Sequence, residues 1–201
     1  MRDPVSPRLS RRTLLAYAAA CGAAAVAMRP AAAALLSGPQ TGDAVLIEKF
    51  GADGRSLGTV TLPRVVKTDA EWRRQLPLLA YAVTRHAGTE PAFSGPYDHN
   101  QADGLYACIC CATVLFDSRT KYDSGTGWPS FWKSISRYNV AERGDDSFGM
   151  QRVAVACKRC DAHLGHVFDD GPRPTGLRYC MNSVSLNFTA RACCAPQPHV
   201  S

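Results

Sequence analysis

The amino-acid sequence predicts a mainly β fold with a short helical segment on its N-terminal side and a structural metal site made of cysteines. Short apolar or alternating runs recur along the chain, and loops rich in Gly, Pro and Asp separate them. Apolar residues follow helical spacing convincingly in one stretch only, and the cysteines include two C-x-x-C pairs. At 201 residues the chain is long enough for one domain with short extensions.

Residues 1–34 have the pattern of an export signal. A basic start ends in Ser10-Arg11-Arg12-Thr13-Leu14-Leu15, and an Ala-rich apolar stretch and small residues follow. The arginine pair before two leucines resembles the twin-arginine signal of bacteria, which directs folded proteins across the membrane. An apolar stretch of about 15 residues is short for a membrane span. We therefore expect a cleaved signal, a periplasmic protein and no stable membrane anchor.

The basic charge is concentrated in this leader. The whole chain has a net charge of +6, but residues 1–34 contain five arginines against one aspartate, which leaves +2 for residues 35–201. No Lys/Arg-rich run remains in that part, so the sequence does not support a nucleic-acid partner.

Residues 35–64 are interpreted as a linker followed by an N-terminal hairpin. Two apolar, β-rich runs, Val45 to Phe50 and Leu57 to Leu62, flank the turn sequence Gly51-Ala52-Asp53-Gly54. A helical segment comes next. Thr68-Asp69-Ala70-Glu71 fits a capping box, in which the threonine and glutamate side chains satisfy exposed backbone N–H groups.

The helical segment should contain one interruption. Apolar residues at helical spacing follow the capping box, at Trp72, Leu76, Leu79 and Val83. Pro77 predicts a break and a restart, and Gly88 predicts the end of the helix. Beyond a turn-rich stretch, we expect short strands near residues 104–107, 113–116, 136–142, 148–156, 163–168 and 178–188. Residues 189–201 form a small polar tail.

The two C-x-x-C pairs predict a structural zinc site. Four cysteines, Cys108, Cys111, Cys157 and Cys160, can supply a tetrahedron of thiolates with no open coordination position. Soft sulfur ligands favour zinc or iron over calcium or magnesium. The alternatives are two disulfides or thioredoxin-like redox pairs. Cys110 neighbours a ligand and could compete for the metal, and we interpret it as a spare thiol.

Several sequence blocks carry a family resemblance. They are Ser124-Gly125-Thr126-Gly127-Trp128-Pro129-Ser130-Phe131, His163-Leu164-Gly165-His166-Val167-Phe168 and Gly176-Leu177-Arg178-Tyr179-Cys180-Met181-Asn182-Ser183. Together with the C-x-x-C pairs, they resemble the B-type methionine sulfoxide reductases. The resemblance runs from about Val65 to Phe188, so the domain is placed at residues 65–188. It implies two small antiparallel sheets with a zinc site, and reduction of peptide-bound methionine (R)-sulfoxide.

Cys180 is the candidate nucleophile. It lies outside both C-x-x-C pairs, and Arg178, two residues away on the same face of a strand, can favour the thiolate. A histidine near its pKa can protonate the sulfoxide oxygen. The resemblance implies that His163 and His166 lie beside that oxygen and that Asn182 lines the pocket. It further implies that Trp128 cradles the substrate methyl group, with Arg178 and Phe168 contributing charge and a pocket wall.

The chain departs from the family pattern at Thr126. Many members carry a second, resolving cysteine at this position, between the glycines of the S-G-x-G-W motif, so an internal disulfide from Cys180 to this position is excluded here. Along a straight strand, Cys194 would reach Cys180 only with a fully extended tail and Cys193 would fall short. The expected reaction leaves Cys180 as a sulfenic acid. We therefore expect this sulfenic acid to be reduced by an external, thioredoxin-like thiol, or by a spare cysteine such as Cys110.

Two other functions compete with this interpretation. One is a zinc-binding module that keeps the scaffold without catalysis, and the other is a thiol-disulfide oxidoreductase that uses Cys157 and Cys160. The first has no need for Cys180, His163, His166 or Asn182, all of which are present. The expected partners are oxidised methionine in peptides or proteins and a thiol reductant, and the expected state is a monomer.

Overall fold

The computed structural model describes residues 44–146, 149 and 151–191. The predicted export signal, most of the predicted linker, Cys193 and Cys194 lie outside these residues. Within them, strands dominate and two short helices precede most of the sheet, so the predicted mainly β fold is confirmed. None of the helices in this part of the chain is long and apolar enough to cross a membrane.

The chain begins with the predicted hairpin. Strands β1 (Ala44–Phe50) and β2 (Ser56–Pro63) pair antiparallel and form a two-stranded sheet. The turn closes through a hydrogen bond from Gly54 N to Gly51 O of 2.9 Å, and Gly54 has a φ of 79°, which glycine adopts without a steric penalty. Buried Asn139 ties the hairpin to the rest of the domain, because its amide bonds both the N–H and the carbonyl of Glu48.

The helical segment is broken where Pro77 predicts it. Helix α1 spans Asp69–Gln75 and begins at the predicted capping box, and helix α2 spans Leu78–His86. Trp72 is the buried anchor of α1. The end of α2 differs slightly from the prediction: Ala87 adopts the left-handed conformation, with a φ of 52°, and Gly88 follows it. The N–H of Gly88 still satisfies a helix carbonyl, at 3.2 Å from Ala82 O.

Two antiparallel sheets form the rest of the domain. Their strands are β3 (Gly104–Cys108), β4 (Val114–Asp117), β5 (Lys121–Tyr122), β6 (Ser130–Phe131), β7 (Val140–Asp145), β8 (Arg152–Cys157), β9 (His163–Phe168), β10 (Arg178–Met181) and β11 (Leu186–Ala190). The smaller sheet has the order β11-β3-β4 and the larger has the order β5-β6-β10-β9-β8-β7. An aromatic cluster fills the core between them: the Phe116 and Phe131 rings stack at 4.5 Å, and Tyr106 packs edge-on against Phe131 at 5.1 Å.

The prediction of one strand over residues 178–188 is wrong. The chain leaves the larger sheet at Met181, forms a 3-10 helix at Ser183–Ser185 and enters the smaller sheet at Leu186. The cause is a buried carboxylate: Glu90 accepts hydrogen bonds from Ser183 N at 2.6 Å and Val184 N at 3.0 Å, which favours a turn over a ladder. The two-residue strands β5 and β6 are too short to give an alternating pattern, and the sequence did not predict them.

Candidate active site

Cys180 lies in the middle of a row of side chains that crosses the larger sheet. It is paired with His166 on β9 and with Ser130 on β6, and Ser130 is paired in turn with Tyr122 on β5. Directly paired residues of antiparallel strands point to the same face of a sheet. Cys180, His166, Ser130 and Tyr122 therefore share one face.

A bulge adds His163 to that face. Residues three apart on a regular strand point to opposite faces, but β9 contains one extra residue: Gly165 pairs with Val155, and His163 pairs with Ala156. Leu164 is the extra residue, and it is completely buried. The His163 and His166 rings consequently lie 5.3 Å apart, centroid to centroid.

The two histidines have different surroundings. His166 Nε2 lies 2.7 Å from Asp145 Oδ2, which also accepts a hydrogen bond from Arg152 at 2.9 Å. His163 Nε2 is buried and makes no hydrogen bond within the described part of the chain. Burial, followed by the neighbouring His166, lowers the pKa of His163 to about 4. His163 is therefore neutral at neutral pH.

The Cys180 thiol is half-buried, and its burial raises its pKa. A hydrogen bond with Thr126 and the charge of Arg178 both act in the opposite direction. The Thr126 hydroxyl lies 3.9 Å from Cys180 Sγ. Arg178 does favour the thiolate, as the sequence predicts, but its effect is smaller than that of burial.

Arg178 and Phe168 are directly paired and lie on the same face as Cys180, since each is two residues from a member of the row. The guanidinium of Arg178 stacks on the Phe168 ring at 4.4 Å and forms two hydrogen bonds with the Asp170 carboxylate, at 2.8 and 2.6 Å. These contacts fix its position and offset part of its charge.

Trp128 lies in the loop that runs beside Cys180. This loop is attached to β10 through the hydrogen bond from Met181 N to Pro129 O of 3.0 Å. The Trp128 indole N–H donates to Glu90 O at 3.1 Å. Next to it, Phe93 N donates to Gly127 O at 2.8 Å, and a Cβ on Gly127 would lie only 2.7 Å from that nitrogen. Glycine is therefore required where the 90–93 segment crosses the loop.

Asn182 directly follows β10 and is buried, and its side chain forms hydrogen bonds with the backbone. Its Nδ2 donates to Leu164 O at 3.0 Å, and its backbone N–H donates to the same carbonyl at 2.8 Å. Its Oδ1 accepts from Glu90 N at 2.9 Å. Asn182 therefore holds the bulged residue that turns His163 toward the reactive face.

The sequence did not single out two residues of this site. Asp145 is the partner of His166, and Glu90 binds Trp128, Asn182 and the 3-10 helix through three different groups. Asp145 lies in a polar run at a strand end and has no local signal. Glu90 lies in the turn-rich stretch after α2, where an acidic residue predicts solvent exposure, whereas Glu90 is 1% exposed.

The four cysteines of the C-x-x-C pairs form a second cluster. The sulfur atoms of Cys108, Cys111, Cys157 and Cys160 all lie within 4.8 Å of one another. Cys108 Sγ is 3.6 Å from Cys160 Sγ, and Cys111 Sγ is 3.5 Å from Cys157 Sγ. A tetrahedron with metal–sulfur bonds of about 2.3 Å has edges of about 3.8 Å. The cluster therefore fits a metal ion bound by four thiolates, as the sequence predicts.

Both C-x-x-C turns have the same backbone structure. In each, the residue after the second cysteine is left-handed, with a φ of 57° at Ala112 and 60° at Asp161. Its N–H donates to the carbonyl of the first cysteine at 2.8 Å, in both turns. Two equivalent turns that direct paired sulfurs to one point are what a four-thiolate site requires. Cys110 is buried beside the cluster but is not one of its four members.

Comparison with known proteins gives a consistent result. Residues 76–190, more than half of the chain, match the SelR domain family. A relative from Herminiimonas arsenicoxydans, peptide methionine sulfoxide reductase MsrB, is 57% identical over 127 residues, which cover 63% of this chain and 93% of that protein. The protein of the same name from Acinetobacter baylyi is 57% identical over 120 residues, 60% of this chain and 86% of the relative. Mitochondrial methionine-R-sulfoxide reductase B3 of Mus musculus is 53% identical over 126 residues, 63% of this chain and 50% of that protein.

Proposed function

The chain belongs to the SelR domain family, the B-type methionine sulfoxide reductases, and from this membership we propose that it reduces peptide-bound methionine (R)-sulfoxide with Cys180 as the nucleophile. One observation carries the proposed mechanism. The sheet register and the β9 bulge place the Cys180 thiol on the same face as both histidines, beside the loop that contains Trp128.

The reaction begins with the Cys180 thiolate. Its sulfur attacks the sulfoxide sulfur, and a proton is transferred to the sulfoxide oxygen as negative charge develops there. Overall, the oxygen passes from methionine to Cys180, the methionine sulfur gains two electrons, and the products are methionine and a Cys180 sulfenic acid. Burial raises the pKa of Cys180. Positive charges or hydrogen-bond donors beside the sulfur would therefore increase the fraction of Cys180 present as thiolate.

The two histidines have complementary tasks in this proposal. His163 is neutral at neutral pH, and its Nε2 has no hydrogen-bond partner among the residues that the structure describes, so it is suited to hydrogen-bond the sulfoxide oxygen. His166 Nε2 lies 2.7 Å from Asp145 Oδ2, and this contact orients the imidazole ring. We assign to His166 the transfer of a proton to the sulfoxide oxygen, because it is paired with Cys180 across the sheet and is oriented by Asp145.

The remaining side chains shape the pocket. The Trp128 ring, held by Glu90 O, accepts the polarised methyl group of the substrate and excludes water. Phe168 and Arg178, stacked on each other beside the row, form a wall and supply positive charge. Asn182 acts by holding Leu164 O and Glu90 N, because both polar groups of its side chain are already engaged by backbone.

Regeneration requires thiols from outside the pocket. One external thiol attacks the sulfenic acid and releases water, and a second thiol reduces the mixed disulfide and restores Cys180. Thr126 occupies the position of the usual resolving cysteine and cannot form a disulfide. Cys110 is 5% exposed and lies beside the four-cysteine cluster, which argues against it as the resolving thiol. We therefore retain a thioredoxin-like reductant as the proposed partner.

The metal in the four-cysteine cluster is proposed to be a single zinc ion with a structural role. Cys108, Cys111, Cys157 and Cys160 would hold it, and four thiolates leave no position for substrate. It would join the end of β3 to the end of β8, so that the smaller sheet is cross-linked to the larger one.

The setting proposed for this activity is the bacterial periplasm. Arg11 and Arg12 precede an apolar, Ala-rich stretch, which supports export in the folded state with the metal already bound. The substrates would then be oxidised exported proteins, repaired by a monomeric enzyme.

The test uses the zinc-loaded chain and a Cys180→Ser control. Each receives a racemic peptide-bound methionine sulfoxide with dithiothreitol, and the remaining epimers are resolved by chromatography. We expect the R epimer alone to disappear, and only when Cys180 is present. If folded, zinc-loaded protein consumes neither epimer, the reductase proposal is wrong and a non-catalytic zinc module on the same scaffold takes its place.

A further inference from the structure

Three hydroxyl groups form a continuous chain that ends at the Cys180 thiol. Thr126 Oγ1 lies 3.9 Å from Cys180 Sγ and 2.8 Å from Ser124 Oγ. Ser124 Oγ lies 2.7 Å from Ser130 Oγ, and Ser130 Oγ lies 3.2 Å from Trp128 O. Ser130 is completely buried and is paired with Cys180 across β6 and β10. The hydroxyl chain is thus shielded from water at Ser130 and contacts the reactive sulfur at Thr126.

Each hydroxyl has one proton, so the hydrogen bonds of this hydroxyl chain can all point away from the sulfur or all point toward it. With a neutral thiol, the S–H donates to Thr126, Thr126 to Ser124, Ser124 to Ser130, and Ser130 to the Trp128 carbonyl. With a thiolate the order reverses: Ser130 donates to Ser124, Ser124 to Thr126, and Thr126 to the sulfur. Rotation about the C–O bonds is sufficient for the change, and no heavy atom has to move.

We propose that Ser130, Ser124 and Thr126 form a reversible hydroxyl chain that stabilises negative charge on Cys180. The thiolate is stabilised first, and the sulfenate that follows oxygen transfer is stabilised in the same way; this second part rests on the proposed function. Hydrogen bonds to a charged acceptor are stronger than those between neutral groups, and donors in a chain polarise one another. The chain therefore favours the charged forms of the sulfur over the neutral thiol.

The positive groups near Cys180 are partly neutralised by carboxylates, so the hydroxyls have a role in stabilising negative charge on its sulfur. Arg178, on the same strand, is bound by Asp170, and His166, on the neighbouring strand, is bound by Asp145. His163 is neutral at neutral pH because burial lowers its pKa, and the Tyr122 phenol on β5 has a raised pKa, also from burial. The positive charges on this face are thus partly offset by carboxylates. The hydrogen bond with Thr126 is the largest of the effects that lower the pKa of Cys180, and smaller ones come from Arg178 and from a hydrogen bond with Ser130.

Thr126 determines what happens to the Cys180 sulfenic acid in this protein. A cysteine at this position would capture the sulfenic acid in an internal disulfide, but a hydroxyl there can only hydrogen-bond it. The sulfenic acid is then held in the pocket until an external thiol arrives. Thr126, Ser124 and Ser130 are positioning residues in this proposal, because they act through the charge on Cys180.

The decisive measurement is the rate at which iodoacetamide alkylates Cys180 as a function of pH, with Cys180 identified by peptide mass spectrometry. Thr126→Val removes the hydroxyl at nearly constant volume. We expect its apparent Cys180 pKa to rise and its alkylation at pH 7 to slow about tenfold, since one hydrogen bond to a charged group contributes roughly 1.5 kcal/mol. Thr126→Ser keeps the hydroxyl and should restore the rate to within about twofold.

Ser124→Ala separates a chain from a single hydrogen bond. If the three hydroxyls act together, this variant slows alkylation although Ser124 is not within bonding distance of the sulfur. An unchanged rate in Thr126→Val overturns the proposal, and an unchanged rate in Ser124→Ala overturns the chain. Neither measurement depends on sulfoxide reduction, so failure of the proposed function would be seen separately, as the absence of a dimedone-trapped sulfenic acid after treatment with methionine sulfoxide.

Discussion

His163 and His166 are three residues apart on one strand, yet their rings point to the same face, 5.3 Å apart. The cause is the bulge at Leu164, whose side chain enters the core and whose carbonyl accepts two hydrogen bonds from Asn182. Strict alternation would direct one of the two imidazoles into the core. The reactive face therefore depends on one irregular residue and on the buried amide that holds it.

The first prediction concerns Gly165, which follows the bulge. A Cβ at this position would lie 2.1 Å from Cys180 O, so Gly165→Ala would force β9 away from β10. We expect a loss of about 2–3 kcal/mol in the free energy of unfolding, measured by urea denaturation, with lower activity because the histidines move away from Cys180.

Gly144→Ala is the matched control for this substitution. Gly144 lies on β7 of the same sheet, and a Cβ there would meet nothing within 4 Å. Its stability should change by less than about 0.5 kcal/mol. Equal stability of the two variants would show that the close approach of β9 and β10 is not required.

The second prediction concerns Asn182. Asn182→Ala leaves the buried Glu90 N–H without its partner and removes one of the Asn182 donors to Leu164 O. We expect a loss of about 2–4 kcal/mol of stability, because each unpaired buried group costs about 1–3 kcal/mol. The pKa of His163, followed by NMR, should rise toward its ordinary value as the bulge loosens and water enters. An unchanged His163 titration in a folded Asn182→Ala protein would contradict this role.

Local signals in the sequence predict much of this fold. Thr68 and Glu71 form the capping box that begins α1, Pro77 separates the helices, and Gly54 closes the hairpin. Each signal acts within a few residues, so it remains valid in the folded chain. The four-cysteine cluster was predictable for a similar reason. The two cysteines of each C-x-x-C pair are close in sequence, and two such pairs are typical of a four-thiolate zinc site.

The sequence could not predict features that depend on distant residues. Alternation over Ser183-Val184-Ser185 indicates a strand, but the carboxylate of Glu90, more than 90 residues away, holds this segment as a 3-10 helix. The pairing of His166 with Asp145 depends on the register of three strands. The bulge did leave a trace: in His163-Leu164-Gly165-His166 the polar residues are three apart, which breaks the period of two.

The third prediction separates the metal ligands from the neighbouring thiol. Cys111→Ser removes one of four sulfurs that lie within 4.8 Å of one another, so purified protein should lose its zinc and much of its stability. Cys110→Ser is the control, since Cys110 lies outside that set, and it should retain one zinc ion per chain. Elemental analysis after gel filtration decides the question. Zinc retained by Cys111→Ser but lost by Cys110→Ser would reverse the assignment.

The fourth prediction concerns pH. The pKa of His163 is lowered from 6.5 to about 4, chiefly by burial, so the folded protein binds fewer protons than the unfolded chain between these values. Stability from this source is complete above about pH 6.5 and falls as the pH drops toward 4, by at most about 3 kcal/mol. His163→Gln cannot titrate, and it should lose less stability between pH 7 and pH 4.5 than the unmodified protein.

Urea denaturation of both proteins at the two pH values measures this difference, in which contributions from the carboxylates and the other histidines largely cancel. A direct NMR titration of the His163 ring is the independent check. A pKa near 6.5, or equal pH dependence in the two proteins, would mean that the imidazole is solvated. His163 would then be charged during part of the neutral range and could itself donate the proton to the sulfoxide oxygen.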